Sequence, residues 1–162
     1  MAASLSSTMR SPTWNTAFPP PILPHSALMQ SHRRCIEQFI AAFERGDNAA
    51  QAALIHPEVV LRSPQSLPYG GEWHGLAGWQ ALRAAIAEVW SDLTLTIERV
   101  LGDEQDDCFV VLAQLSARSR HSGQPYHCQV MEKWLWRAGQ LVLVEPFYWD
   151  TAAVNKLLRS DD

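Results

Sequence analysis

The one carboxylate in the most apolar stretch of the chain is Glu132. That stretch, CQVMEKWLWRAGQLVLVEPFYWD from Cys128 to Asp150, reads as two long strands joined at Ala138-Gly139. Side chains two apart on a strand share a face, so Glu132 stands in line with Val130, Trp134 and Trp136. A carboxyl in such company is either paired or hydrogen-bonded, with Arg62, Arg118 or an indole N–H as the partner, or it stays protonated with a raised pKa. In the second case it becomes an acid or base for proton transfer. The other candidate for acid–base work is His74, in PQSLPYGGEWHG (Pro64 to Gly75). Two prolines and three glycines make that segment a loop, and its Tyr69, Trp73 and His74 give it the composition of a pocket rim. Tyr69, Trp73, Trp90, Trp134 and Tyr148 are the aromatics expected to bind an apolar substrate. His121 falls in the turn from Ser119 to Gln124, which leaves Gln114 opposite Glu132. His127 lies on the opposite strand face, and Asp150 is first a helix cap.

These residues need a scaffold. The chain has 162 residues, 47% of them hydrophobic, enough for one domain with a real core. A formal net charge of -4, with 13 scattered Lys and Arg, argues against a nucleic-acid or anionic-membrane partner. Cys35, Cys108 and Cys128 sit far apart among apolar residues, as core thiols in a reducing compartment do. With no apolar run of membrane-spanning length and no secretory signal, the expected location is the cytoplasm. There is no CxxC or HExxH, and neither metal nor cofactor is expected. Residues 1–25, rich in Ser and Pro, read as a disordered arm, and 26–162 as the single domain.

Within the domain, Cys35, Ile36, Phe39, Ile40 and Phe43 form the apolar stripe of a first helix from about Ser26 to Arg45, stopped at Gly46. Asp47 caps a second helix that ends before Pro57, and Glu58–Ser63 follows as a strand. A third helix spans Leu76 to Trp90. Beyond it come four strands, the first alternating at Leu93, Leu95 and Ile97, the others over 108–120, 125–137 and from Gly139 on. Ala152–Leu158 closes the chain as a helix. Helices followed by a meander make the class α+β.

The order of these elements, together with ERGD (Glu44 to Asp47), GGEWHG (Gly70 to Gly75) and WRAGQLVLVEPFYWD (Trp136 to Asp150), resembles the SnoaL-like and ketosteroid-isomerase-like branch of the nuclear transport factor two-like superfamily. The resemblance covers about residues 28–158. It implies a cone-shaped, curved antiparallel sheet with three N-terminal helices packed on its concave face, the cystatin-like roll. It also implies a deep pocket between helices and sheet, often in a homodimer. Ketosteroid isomerases carry an aspartate base before a proline, where this chain has Ser63-Pro64, and an oxyanion-binding tyrosine where it has Phe39. Their second oxyanion donor, and the acid of SnoaL-type polyketide cyclases, fall on the strand face of Glu132. Arg118-Ser119-Arg120 and Glu145-Pro146 do not make the water-activating set of limonene epoxide hydrolases. The resemblance therefore implies cofactor-independent acid/base chemistry, of isomerase, cyclase or dehydratase type, on a small hydrophobic cyclic or polyketide-like molecule. Glu132 would be the acid or base, with His74 or Tyr69 assisting. The other reading is a non-catalytic ligand-binding or dimerisation module on the same fold. The expected dimer face is the convex one, where His127, Gln129, Met131 and Lys133 alternate outward.

Overall fold

The apolar stripe of the first helix folds as α1, His32–Glu44, and Ser31 caps it through a side chain that accepts from the Arg34 N–H. In the computed structural model the described residues are 31–104 and 106–158. The arm over residues 1–25 and the helix start at Ser26 lie outside them. Asp47 caps α2, Asn48–Ala53, by accepting from the Ala50 N–H at 3.0 Å. The chain then enters β1, Ile55–Ser63, three residues earlier than its composition suggests. Pro57 fits there because the pairing of β1 shifts register between Ile55 and Val60, where no ladder N–H is called for. The segment expected to be loop up to Gly75 holds a strand, β2 (Gly71–His74), hairpinned onto β1 with Leu61 opposite Trp73. Next come α3 (Gly75–Val89), β3 (Trp90–Leu101), β4 (Cys108–Ser119), β5 (Pro125–Arg137), β6 (Gln140–Tyr148) and α4 (Thr151–Leu158).

The six strands form one curved, unclosed sheet in the order β2-β1-β6-β5-β4-β3. Pairing is antiparallel throughout except between β1 and β6, which run parallel. Alternation decides the faces. Phe109, Val111, Ala113, Leu115, Ala117 and Ser119 of β4 are buried, while the residues between them are partly or fully exposed. Between β5 and β6 both turn residues, Ala138 (φ 48°) and Gly139 (φ 78°), are left-handed, the geometry whose twist matches a two-residue hairpin. Phe39 of α1 fills the middle of the cone. Three indoles meet its ring edge-on, with centroids 5.4 Å away for Trp134, 6.0 Å for Trp136 and 6.1 Å for Trp79, the arrangement ring quadrupoles favour.

Ser119 locks the last helix to the sheet. Its hydroxyl donates to the Leu157 carbonyl at 2.8 Å and accepts from the Ser122 N–H at 3.1 Å, and the residue is only 1% exposed. Ser119→Ala strands the Ser122 N–H and leaves the Leu157 carbonyl with only the longer bond from Ser122 Oγ at 3.4 Å, and a loss of about 1–3 kcal/mol in unfolding free energy is expected. Denaturant titration checks this: an unchanged midpoint would show that α4 is held by Val154 and Leu158 alone.

Candidate functional site

A cavity of about 510 Å³ opens between the inner face of the sheet and helices α1 and α3. Strand alternation aims the lining into it: Glu132 and Trp134 from β5, Val144, Pro146 and Tyr148 from β6, and Leu93, Leu95 and Ile97 from β3. Phe39, Trp79 and Leu82 close the helical side.

Glu132 is the carboxylate of the apolar part of this wall. Its cross-strand partners are Val111 on β4 and Pro146 on β6. Gln114, expected opposite it, instead pairs with Gln129, and its amide donates to Glu98 at 3.1 Å. The hairpin between β4 and β5 turns earlier than an even count from Ser122-Gly123 suggests. Trp134, two residues along the same face, donates its indole N–H to Glu132 Oε2 at 2.7 Å. Part of the Glu132 surface stays open, and it faces the cavity. Burial pushes the carboxyl above its ordinary range, and the indole hydrogen bond offsets part of that rise. The arginines expected as counter-charges are engaged elsewhere. Arg62 bonds Glu72 at 2.8 Å on the outer surface, and Arg118 lies 3.9 Å from Asp92.

Two phenols share the cavity with Glu132. Trp90 Nε1 donates to the Tyr69 hydroxyl at 3.2 Å, and the Tyr148 hydroxyl interacts with that of Tyr69. Burial raises both phenols, Tyr148 well above its usual value, with the neighbouring Tyr69 and Glu132 charges adding to the rise. Both are therefore neutral hydrogen-bond donors over the whole physiological range.

Of the residues singled out from sequence, Glu132, Trp134, Tyr69, Trp90 and Tyr148 line this one cavity, and His74 and Trp73 do not. The reason is β2. A strand sends residues 72 and 74 to the same side, so His74 lies exposed with Nε2 3.5 Å from Glu72. Trp73 packs beneath the loop, and its Nε1 donates to the Tyr69 backbone carbonyl at 3.2 Å. It positions Tyr69 and stays out of the cavity. The lining also includes residues that sequence reasoning passed over: Gln51 of α2, Ser63 at the end of β1, and Arg83 and Arg120. Gln51 is 3% exposed, and its Nε2 has no partner among the described residues. Its signal in NAAQAA was a lone amide one turn after Asn48, on a helix otherwise made of alanine.

The family model described as the SnoaL-like domain matches residues 36–144. Among solved structures, an NTF2-like protein of unknown function from Burkholderia pseudomallei aligns with a TM-score of 0.71 at 21% identity, covering 82% of this chain and all of that one. TerC, co-crystallised with polyporic acid, aligns at 0.70 and 22% identity, over 81% of this chain and all of TerC. A candidate SnoaL-like polyketide cyclase from Mesorhizobium loti aligns at 0.62 and 13% identity, over 74% of this chain and all of that one. Likeness at these identities establishes the fold alone. No curated protein matches the chain. The family match itself runs from the first buried turn of α1 to the inward-facing centre of β6, and takes in Glu132, Trp134, Tyr69 and Trp90: the chain belongs to the SnoaL-like domain family.

Proposed function

We propose that this protein is a cofactor-independent acid/base enzyme acting on a small hydrophobic, cyclic or polyketide-like carbonyl compound. The observation that carries the reading is Glu132, a buried carboxyl whose described hydrogen bond is to a single indole N–H, in a cavity it shares with two phenols. Ionised Glu132 takes a proton from the carbon next to the substrate carbonyl. The electron pair of that C–H bond forms the C=C bond of an enolate, and the negative charge moves to the carbonyl oxygen, where a phenol O–H of Tyr148 or Tyr69 meets it. Returning the proton to a different carbon isomerises the substrate, and attack of the enolate carbon on a second carbonyl closes a ring. Burial supports this role, because a base raised toward the working pH holds the abstracted proton better than an exposed glutamate does. A candidate polyketide cyclase and a protein crystallised with polyporic acid among the structural neighbours support the same class of ligand.

Deuterium exchange tests the reading without the natural substrate. Incubated with 2-tetralone in D2O, the wild type should speed label uptake at the α carbon, read by mass spectrometry. Glu132→Gln should lower that rate by about 10²–10⁴-fold. Uptake at the buffer rate with the wild type counts against an enzyme, and equal uptake by both proteins counts against Glu132. Ser63, standing where the isomerases place their base, favours the second reading, a ligand-binding module. That reading expects binding of the same compound with no exchange.

We further infer a homodimer through the outer face of the sheet. Met131 and Phe147 are direct neighbours across β5 and β6, and they are 50% and 52% exposed. Apolar side chains side by side on a long strand pair are normally covered. Light scattering at micromolar concentration should give the dimer mass, and a monomer mass would refute it. Cys35, Cys108 and Cys128, far apart in sequence among apolar residues, support a reducing compartment, the cytoplasm. No helix among the described residues is long and apolar enough to cross a membrane.

A further inference from the structure

The same cavity is lined by two arginines that the proposed chemistry does not use. Among the described residues neither has a carboxylate within ion-pair distance. Arg120 follows directly on β4. Its Nε donates to the carbonyl oxygens of Ala87 at 2.7 Å and Trp90 at 3.1 Å, so the C-terminal end of α3 fixes the stem of the guanidinium, while its two terminal nitrogens donate to no described residue. Arg83 lies one helical turn before Ala87. It spends one Nη1 donor on Asn48 Oδ1 at 3.1 Å, and its others meet no described residue.

The acids of the cavity do not neutralise them. Asp92 leans toward Arg118, 3.9 Å away. The Glu132 carboxylate accepts from the Trp134 indole, and no arginine among the described residues is within ion-pair distance of it. A second observation points the same way. Gln51 shares a face of α2 with Asn48, which holds Arg83, and it brings to the lining a buried amide N–H group that no described residue accepts. Burying such a donor unpaired costs free energy that a bound acceptor would restore. Solvation accounts for the two exposed guanidinium groups taken alone. It does not account for the buried, unpaired amide that lines the same apolar cavity.

We propose that the ligand is an amphipathic monoanion, with its apolar body against the aromatic wall near Glu132 and a carboxylate held by Arg83 and Arg120 at the cavity mouth. A planar fork with parallel N–H donors matches a carboxylate bidentately. The proposal rests on the reading of this cavity as a site for hydrophobic small molecules and adds the charge of the ligand to it.

The test is calorimetric titration of the full-length protein with 4-(1-naphthyl)butanoic acid and with its primary carboxamide, at pH 7.5 and low salt. The acid should bind at least about tenfold tighter than the amide, a margin that 0.5 M salt narrows. Arg83→Gln leaves the end of α3 untouched and should weaken the acid severalfold while changing the amide less than twofold. Arg120→Gln should do the same, with its melting temperature recorded because Arg120 also caps α3. Equal affinity for acid and amide overturns the proposal and leaves the apolar cavity site standing. A preference for the acid that survives Arg83→Gln and Arg120→Gln also overturns it. Failure of both probes to bind the wild type overturns the cavity reading together with it.

Discussion

Glu132→Gln should melt close to the wild type at pH 4 and above it at pH 8. The sign follows from the direction of the shift. Burial raises the folded-state pKa of Glu132 above the ordinary 4.5, so the folded protein binds the proton more tightly than the unfolded chain does. Between the unfolded and folded values the native state carries more protons, and stability falls as pH rises, by up to about 1.4 kcal/mol per pH unit. Below that window the carboxyl is neutral in both states and its contribution is fully present. Above it the contribution is lost. Glutamine never ionises, and its carbonyl can still accept from Trp134 Nε1. Every other titrating group is common to the two proteins, so the difference between their melting curves isolates residue 132. A variant less stable than the wild type at pH 8 would mean that Glu132 is held ionised by a positive charge. In that case its role as a poised proton acceptor fails.

The largest loss of stability is expected at a position far from any chemistry. Gly102 closes β3 with φ +139°, and a Cβ built on it would lie 2.5 Å from Cδ1 of Phe109, a ring with no solvent exposure. Its carbonyl also accepts from Arg33 at 3.3 Å, which ties the start of α1 to the sheet. Gly102→Ala combines a left-handed backbone that an L side chain resists with overpacking against a ring that has nowhere to go. Together these are worth about 2–5 kcal/mol. Chemical denaturation measures it, and a loss under about 1 kcal/mol would show that the turn from Gly102 to Asp107 re-forms without strain.

Period and punctuation made most of the scaffold readable. Alternation marked β3 to β6, the stripe on α1 and the boundaries of α3 and α4 came out within a residue or two, and Asp47 caps as its type demands. What escaped was set by contacts far apart in sequence. Gly71–His74 has the composition of a loop and becomes a strand because β1 offers it a partner, and that strand then carries His74 away from the cavity. The parallel pairing of β1 with β6 joins Val60 to Leu143, a contact on which local pattern is silent. At the site, the bond between Trp134 and Glu132 was legible because it is an i, i+2 contact on one strand. The approach of Tyr69 to Tyr148 and the presence of Arg83 and Arg120 on one cavity were not, since each pair comes from separate elements whose register no single stretch encodes. Gln51 was passed over because its importance lies in a partner it lacks.

Three of the indoles that wall the cavity, Trp79, Trp90 and Trp134, are also fluorophores, and one of them shares a proton-bearing contact with the group of interest. Ionisation of Glu132 places a full charge 2.7 Å from the Trp134 ring nitrogen, so the emission of that indole follows the carboxyl through its titration, and a ligand entering the cavity displaces whatever solvent the three rings see. Trp149, 92% exposed, emits from water and is open to aqueous iodide, which among the described residues sets it apart from the shielded indoles of the cavity. The protein thus carries a built-in optical readout of both its acid and its occupancy, with no label attached.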